Sequence, residues 1–250
     1  EESDDKESDE ELEDEVEEFP IIPFTELKGH TGGVWSVKAF DNGHKMLSGS
    51  YDKTLKVWDL TTGKVLHTLK GHKSRVYRCD VYKDIAISGS KDKTVRVWDL
   101  AAGSMVSVLK GHSSTVWCCR LFANGTKALT GSSDNTLIVW DVVNKKQLKT
   151  LKGHEDNVYC CHVSNDGARA LSGSQDGTLC VWDLSDGTLE FQLKGHGDYV
   201  WDCVLFENGT KALSASFDKT LRVWNLDTKQ TELILEGHKS CVRCCCVFDK

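Results

Sequence analysis

Polar and apolar residues alternate in TLKVWDL (54–60) and again in TVRVWDL (94–100), the pattern of a strand with its apolar side turned inward. Around each such segment the chain reads as a unit of four short strands. A Val opens the first, at Val34, Val76, Val116, Val158, Val200 and Val242. A turn pair follows at Asn42-Gly43, Asn124-Gly125, Asp166-Gly167 and Asn208-Gly209, and predicts two-residue type I′ hairpins, in which φ is positive. The second unit is two residues shorter here and turns at Lys83-Asp84. The second strand ends in a Ser-Gly-Ser type segment, the third carries the alternation, and a fourth such as KVLHTLK (64–70) leads onward.

The units recur with a fixed period. Gly-His stands at Gly29-His30, Gly71-His72, Gly111-His112, Gly153-His154, Gly195-His196 and Gly237-His238, spaced 42, 40, 42, 42 and 42 residues apart. Trp58, Trp98, Trp140, Trp182 and Trp224 follow the same period. Asp comes next four times and Asn225 the fifth. Between them lie SGSYD, SGSKD, TGSSD, SGSQD and SASFD, ending at Asp52, Asp92, Asp134, Asp176 and Asp218. A 40–45-residue period of four strands with Gly-His and Trp-Asp marks is the signature of a propeller blade. From these residues the chain resembles the WD-repeat β-propeller family over residues 24–250.

The resemblance implies an all-β propeller of four-stranded blades. Five are complete, in repeats 29–70, 71–110, 111–152, 153–194 and 195–236. Partial strands of a sixth are expected at 24–28 and in the partial repeat 237–250, so the ring is expected to be incomplete within this chain and to continue past Lys250. Residues 1–23 form a separate acidic tail or linker.

One His, one Ser or Thr, one Asp and one Trp repeat in each blade: His30, Ser48, Asp52 and Trp58; His72, Ser88, Asp92 and Trp98; His112, Thr130, Asp134 and Trp140; His154, Ser172, Asp176 and Trp182; His196, Ser214, Asp218 and Trp224. Ser, His and Asp together are also the parts of a hydrolytic triad. A catalytic centre is built once, however, whereas this set occurs five times and includes Trp, whose indole N–H only donates. The resemblance implies a structural tetrad running Asp to His, His to Ser or Thr, and Ser or Thr to Trp.

The candidate binding residues lie elsewhere in the period. Five positions after the blade His, the chain reads Trp35, Tyr77, Trp117, Tyr159, Trp201 and Arg243. The resemblance places this position at the narrow end of the channel, on the top face. Beside it stand the residue before the blade Asp (Tyr51, Lys91, Ser133, Gln175, Phe217) and the residue three after His (Gly33, Arg75, Thr115, Asn157, Tyr199, Cys241). The expected site is an aromatic ring with basic points at Arg75, Lys91 and Arg243. Aromatic residues and Arg dominate protein-binding hot spots. The ring would grip short peptide segments of other proteins, with an acidic or phosphorylated side chain meeting Arg75 and Lys91.

Charge divides the chain in two. Residues 1–18 hold 13 acidic residues and one Lys, while the remainder carries 30 basic against 25 acidic residues. A like-charge block of this kind reads first as a solvated tail, although Ser8 before Asp9, Glu10 and Glu11 suits an acid-directed kinase. The alternative function is RNA or single-stranded nucleic-acid binding, with bases stacked on the same aromatic positions. The small basic excess and the acidic tail weigh against it.

The eleven cysteines are odd in number. Those at Cys118-Cys119, Cys160-Cys161 and Cys244-Cys245-Cys246 are adjacent, so they point to opposite faces of a strand and make poor disulfide partners. Free thiols in this number favour a reducing compartment, cytoplasmic or nuclear. Most also keep the period, six or seven residues after the blade His, as small apolar fillers between blades. The run Cys241-x-x-Cys244-Cys245-Cys246 superficially resembles a zinc motif, but it continues that series. No cofactor or metal is expected, no uncharged apolar stretch reaches the ~18 residues of a membrane span, and no glycine-rich phosphate loop or unique nucleophile stands outside the repeat. The reading is therefore a non-catalytic scaffold for protein binding.

Overall fold

The computed structural model describes residues 26–247. The acidic tail, Ser8 and the first residues of the expected strand at 24–28 lie outside them. The described residues form five four-stranded antiparallel sheets, each a simple meander whose strands pair in chain order. The first blade consists of Val34–Phe40, Lys45–Ser50, Thr54–Asp59 and Val65–Lys70. The next four run from Val76–Tyr82 to Ser104–Lys110, Val116–Phe122 to Lys146–Lys152, Val158–Val163 to Leu189–Leu193, and Val200–Phe206 to Gln230–Leu235. First strands neighbour first strands around the array. No described helix is long and apolar enough to cross a membrane.

The apolar cores lie between blades. One gathers Leu47, Leu55, Val57 and Leu69 of blade one against Val76, Cys79, Ala86 and Trp98 of blade two, and the pattern repeats along the array. With blades stacked on both sides, the third strand is covered on both faces. Thr136–Asp141 is buried at all four central residues, and even Arg96 of Thr94–Asp99 is buried. The polar-out alternation predicted for this strand survives best in blade one, which has a neighbour on only one side.

The turn between first and second strands also differs from expectation. In blades one, three and five it is a four-residue left-handed loop that contains the predicted pair, not a two-residue hairpin: the ladder closes at Phe40–Lys45, Phe122–Lys127 and Phe206–Lys211. Asp41, Asn42 and Gly43 all have positive φ, as do Ala123, Asn124 and Gly125, and Glu207, Asn208 and Gly209. Gly43 N–H donates to Phe40 O and His44 N–H to Asp41 O, so two successive turns centre on Asp41-Asn42 and on Asn42-Gly43. The Lys83-Asp84 loop of blade two is the two-residue connection that its shorter repeat predicts.

Successive first strands are tied by side chains that catch the next strand's backbone N–H. Ser36 Oγ accepts from Cys79 (3.1 Å), Asp80 Oδ2 from Leu121 (2.8 Å), His162 Nδ1 from Leu205 (3.3 Å) and Asp202 Oδ2 from Cys245 (3.2 Å). Across the centre, the Arg78 guanidinium pairs with Asp202 Oδ1 at 2.8 Å.

Of the strands expected for a sixth blade, the described residues 26–28 and 237–247 form none. Yet 242–247 runs where a sixth first strand would. Val242 N–H donates to Ser216 O (2.9 Å), and the Cys245 thiol points at Leu213 O (3.7 Å) as earlier cysteines point at the blade before them. Lacking a second strand to pair with, it has no ladder. Both ends of the array are correspondingly uncovered. Val34 is 51% exposed where Val76, Val116, Val158 and Val200 are fully buried, and Leu235 is 44% exposed where Leu69, Leu109, Leu151 and Leu193 are buried.

Close blade stacking explains the Gly of Ser-Gly-Ser. A Cβ at Gly49, Gly89, Gly131 or Gly173 would stand 2.6–2.9 Å from the Val that opens the next blade. Ala215 takes this position in blade five, against the unpaired 242–247 segment. Gly131→Ala should therefore cost ~1–3 kcal/mol through overpacking, whereas Ala215→Gly should cost less than about 1 kcal/mol. Denaturant unfolding of the two variants checks the order.

Candidate functional site

The tetrads form in all five blades. The His Nδ1–H donates to the Asp carboxylate at 2.7–2.9 Å. The Ser or Thr hydroxyl donates to the His Nε2 at 2.7–2.8 Å. The Trp indole N–H donates to that same hydroxyl oxygen at 2.7–2.8 Å. The imidazole is thus held between two partners in every blade, and both its nitrogens are engaged even where His30 and Ser48 of blade one, or His196 of blade five, line a surface pocket. That arrangement fits a strut rather than a nucleophile with its base.

Two further repeated residues take part and were missed from sequence. A Thr two after the Asp (Thr54, Thr94, Thr136, Thr178, Thr220) donates both hydroxyl and N–H to Asp Oδ1. A Ser two before it (Ser50, Ser90, Ser132, Ser174, Ser216) accepts the Asp N–H. Both recur with the blade period, which was the available signal. The other Asp oxygen also takes the N–H of the residue after His, at Thr31, Lys73, Ser113, Glu155 and Gly197.

These bonds set the electrostatics. Burial would raise the five Asp carboxyls, but the hydrogen bonds from His, Thr and backbone outweigh it and hold them well below the usual carboxylate range. Burial pushes His72 and His196 down despite their Asp partners. His162 falls further, to about 3, through burial and the nearby Arg120 and Lys38.

The top-face aromatics owe their position to a repeated irregularity. The ladder between first and second strands slips once in each blade, between Val34 and Ser36, Val76 and Arg78, Val116 and Cys118, Val158 and Cys160, and Val200 and Asp202. Trp35, Tyr77, Trp117, Tyr159 and Trp201 are the residues in these bulges. A bulge leaves one residue unpaired and re-aims its side chain. Beside each, a backbone bond joins the two flanking positions: Tyr51 N–H to Gly33 O, Lys91 to Arg75, Ser133 to Thr115, Gln175 to Asn157 and Phe217 to Tyr199, all at 2.8–2.9 Å.

The aromatic side chains form one continuous chain. Trp35 stacks on Tyr51 at 5.1 Å, and both meet Tyr77 edge-on. Tyr77 lies 4.2 Å from Trp117, which meets Tyr159 edge-on at 5.3 Å. Tyr159 stacks on Trp201 at 4.4 Å and reaches Tyr199, which reaches Phe217 at 5.8 Å. Tyr77 is itself buried, while Trp35 and Phe217 are exposed. Arg75 sits over the Tyr51 ring at 4.4 Å, and Lys91 is held next to it through the backbone. Burial and Tyr77 raise the Tyr51 phenol, with Arg75 acting against them. Arg243 lies beside Cys241, whose thiol it lowers. Trp117 Nε1–H donates to Ser133 Oγ at 2.6 Å, but the covered Trp201 Nε1–H has no acceptor among the described residues.

The cysteines occupy the blade interfaces, as the period predicts. Cys79, Cys119, Cys161 and Cys203 direct Sγ at a carbonyl of the preceding blade, 3.8–4.0 Å away. Burial pushes Cys79 up to about 12 and Cys203 up to about 11. All eleven are free thiols.

Family comparison agrees with this architecture. The WD domain, G-beta repeat family matches residues 22–59, 63–99, 103–141, 145–183 and 187–225. The chain belongs to the WD40 repeat family, a fold that generally serves as a non-catalytic scaffold. Cell division control protein 4 of Saccharomyces cerevisiae is 45% identical over 62 residues, 24% of this chain and 8% of that protein. Dynein assembly factor with WD repeat domains 1 of Xenopus laevis is 43% identical over 54 residues, 22% of this chain and 13% of that protein. WD repeat-containing protein pop2 of Schizosaccharomyces pombe is 45% identical over 53 residues, 21% of this chain and 7% of that protein. The chain thus matches only a small part of the length of each of these relatives.

Two outcomes follow from the tetrads. Asp134→Ala leaves the His112, Ser113 and Thr136 donors without their acceptor and should cost ~1–3 kcal/mol, read as a lower melting temperature. Acid should act in two stages. The depressed imidazoles His72, His196 and His162 stabilise the fold fully above about pH 6.5, and that contribution erodes as pH falls toward their folded values. The depressed Asp carboxyls contribute above about pH 4, and their share is lost below it. A melting temperature flat between pH 6.5 and 4 would contradict the first stage.

Proposed function

We propose that the top face binds short peptide segments of other proteins, so that the chain acts as a non-catalytic interaction scaffold. What carries this reading is the aromatic chain itself: each blade contributes a bulged aromatic to one face, with Arg75 and Lys91 held side by side at its rim. Trp35 and Phe217 leave apolar surface open there, and Trp201 Nε1–H wants an acceptor. An aromatic and Arg surface of this kind is the usual composition of a hot spot. The adjacent cations suit an acidic or phosphorylated side chain. Eleven free thiols fit a protein of the reducing cytoplasm or nucleus.

Nucleic acid is the weaker reading. Base stacking needs free ring faces, whereas Trp35 lies on Tyr51 and Tyr159 on Trp201 with interplanar angles of 18°.

An array of synthetic peptides, each in unmodified, acidic and phosphoserine versions, provides the test. The unaltered chain should retain a subset, with the phosphorylated and acidic versions favoured. Arg75→Gln should remove that preference, and Trp117→Ala with Trp201→Ala should lower retention at least about tenfold while unfolding stays cooperative. Equal retention by the double variant would refute the assignment.

A further inference from the structure

The opposite mouth of the array holds charged groups that the aromatic face does not use. Eight positions after the blade His, the first four blades carry Lys38, Asp80, Arg120 and His162. These four line one cavity of about 300 Å³, with Asn124 and Asn165 at its edge.

Its charges are poorly matched. Lys38 Nζ and an Arg120 guanidinium nitrogen both approach the same oxygen, Asp80 Oδ1, at 3.6 and 3.7 Å. Both distances are too long for a hydrogen bond. The second oxygen, Asp80 Oδ2, is taken by the Leu121 N–H. Two cations therefore share half of one carboxylate, with no other carboxylate within ion-pair reach among the described residues. Neighbouring acids are engaged elsewhere: Glu207 lies 3.2 Å from Lys211, and Asp166 accepts from Ser164. Both cationic side chains remain partly open to solvent, 41% and 31% exposed.

His162 completes the set. Its Nδ1 accepts the Leu205 N–H, so in the neutral ring the proton sits on Nε2. That Nε2–H has no acceptor among the described residues. The cavity thus offers an ammonium, a guanidinium fork and a neutral N–H donor, opposed by a single carboxylate already committed to the backbone.

We propose that this mouth is a binding site for a phosphate-type oxyanion, held by Lys38 and Arg120 with His162 Nε2–H as the third donor. A tetrahedral phosphate presents oxygens in three directions to three donors, whereas a planar carboxylate presents two. Guanidinium and ammonium groups are the usual partners of phosphate oxygens. The site lies on the face away from Arg75 and Lys91 and stands independently of peptide binding there.

Titration of the chain with inorganic phosphate, followed by the ring resonances of His162, tests the assignment, with sodium acetate and sodium chloride at matched ionic strength in parallel. Phosphate should give a saturable shift that acetate and chloride do not. Arg120→Gln and Lys38→Gln should each weaken it about tenfold. Asp80→Asn, which removes the competing charge but keeps an acceptor for Leu121, should strengthen it. Arg75→Gln should leave it unchanged. Melting curves establish that each variant is folded; if Arg120→Gln is not, Lys38→Gln and Asp80→Asn carry the test. A shift reproduced by acetate or chloride, indifferent to Lys38→Gln, or lost with Arg75→Gln would overturn the inference.

Discussion

The hydrogen-bonded chain from Asp through His and Ser or Thr to Trp is the constraint from which the rest of each blade follows. Its carboxylate gathers donors from the loop after His, from the imidazole and from the start of the third strand, and so binds three separate pieces of chain to one anion. At its other end the indole is fixed inside the sheet. From blade two onward that indole also packs against the preceding blade, Trp98 on Leu47 and Leu55 for example. The bond that orders a blade internally therefore also shapes the surface by which it stacks. Burying such a network is favourable only when every member is satisfied, and here the members are satisfied in all five copies.

Stacking then explains the small residues. The Val that opens each blade presses on the Gly of the Ser-Gly-Ser segment before it, and a cysteine three residues further on rests against a carbonyl of the same neighbour. A larger side chain at either place would push the blades apart. The thiols behave as compact apolar groups, and the raised values of Cys79 and Cys203 agree with burial rather than reactivity.

Much of this was legible in the chain because repetition converts a weak local signal into a strong one. The tetrad residues, the five repeats and the interfacial cysteines follow from period and residue type, whereas the order of bonds within the tetrad is what the family resemblance implies. The misses share a different origin. The four-residue left-handed loop at 41–44 and the five bulges depend on backbone register, which residue identity specifies poorly. A dipeptide such as Asn42-Gly43 announces a turn without fixing the length of the loop that holds it. The doubly covered third strand was hidden because alternation reports one sheet, whereas burial here is decided by two neighbours; Arg96 reads as an outward residue, yet it shares the strand face of Trp98, which packs on blade one. The top-face positions were marked by their aromatic residues, but not the burial of Tyr77. The charged cavity at the other mouth went unnoticed because Lys38, Asp80, Arg120 and His162 share a position in the period but no residue type.

The side-chain clasps between first strands are unevenly distributed. Ser36, Asp80, His162 and Asp202 each secure the strand that follows, but the corresponding residues of blade three, Cys118 and Arg120, contribute no such clasp to Val158–Val163 among the described residues. A guanidinium has no lone pair to offer an amide. The join between blades three and four is tied nearer the outer edge instead, by the Asn135 amide on Glu155 O and by the Lys149 ammonium on Leu184 O and Ser185 O, around an apolar and thiol core. Parting blades one to three from blades four and five would therefore have to break these outer ties and the Arg78–Asp202 pair across the centre.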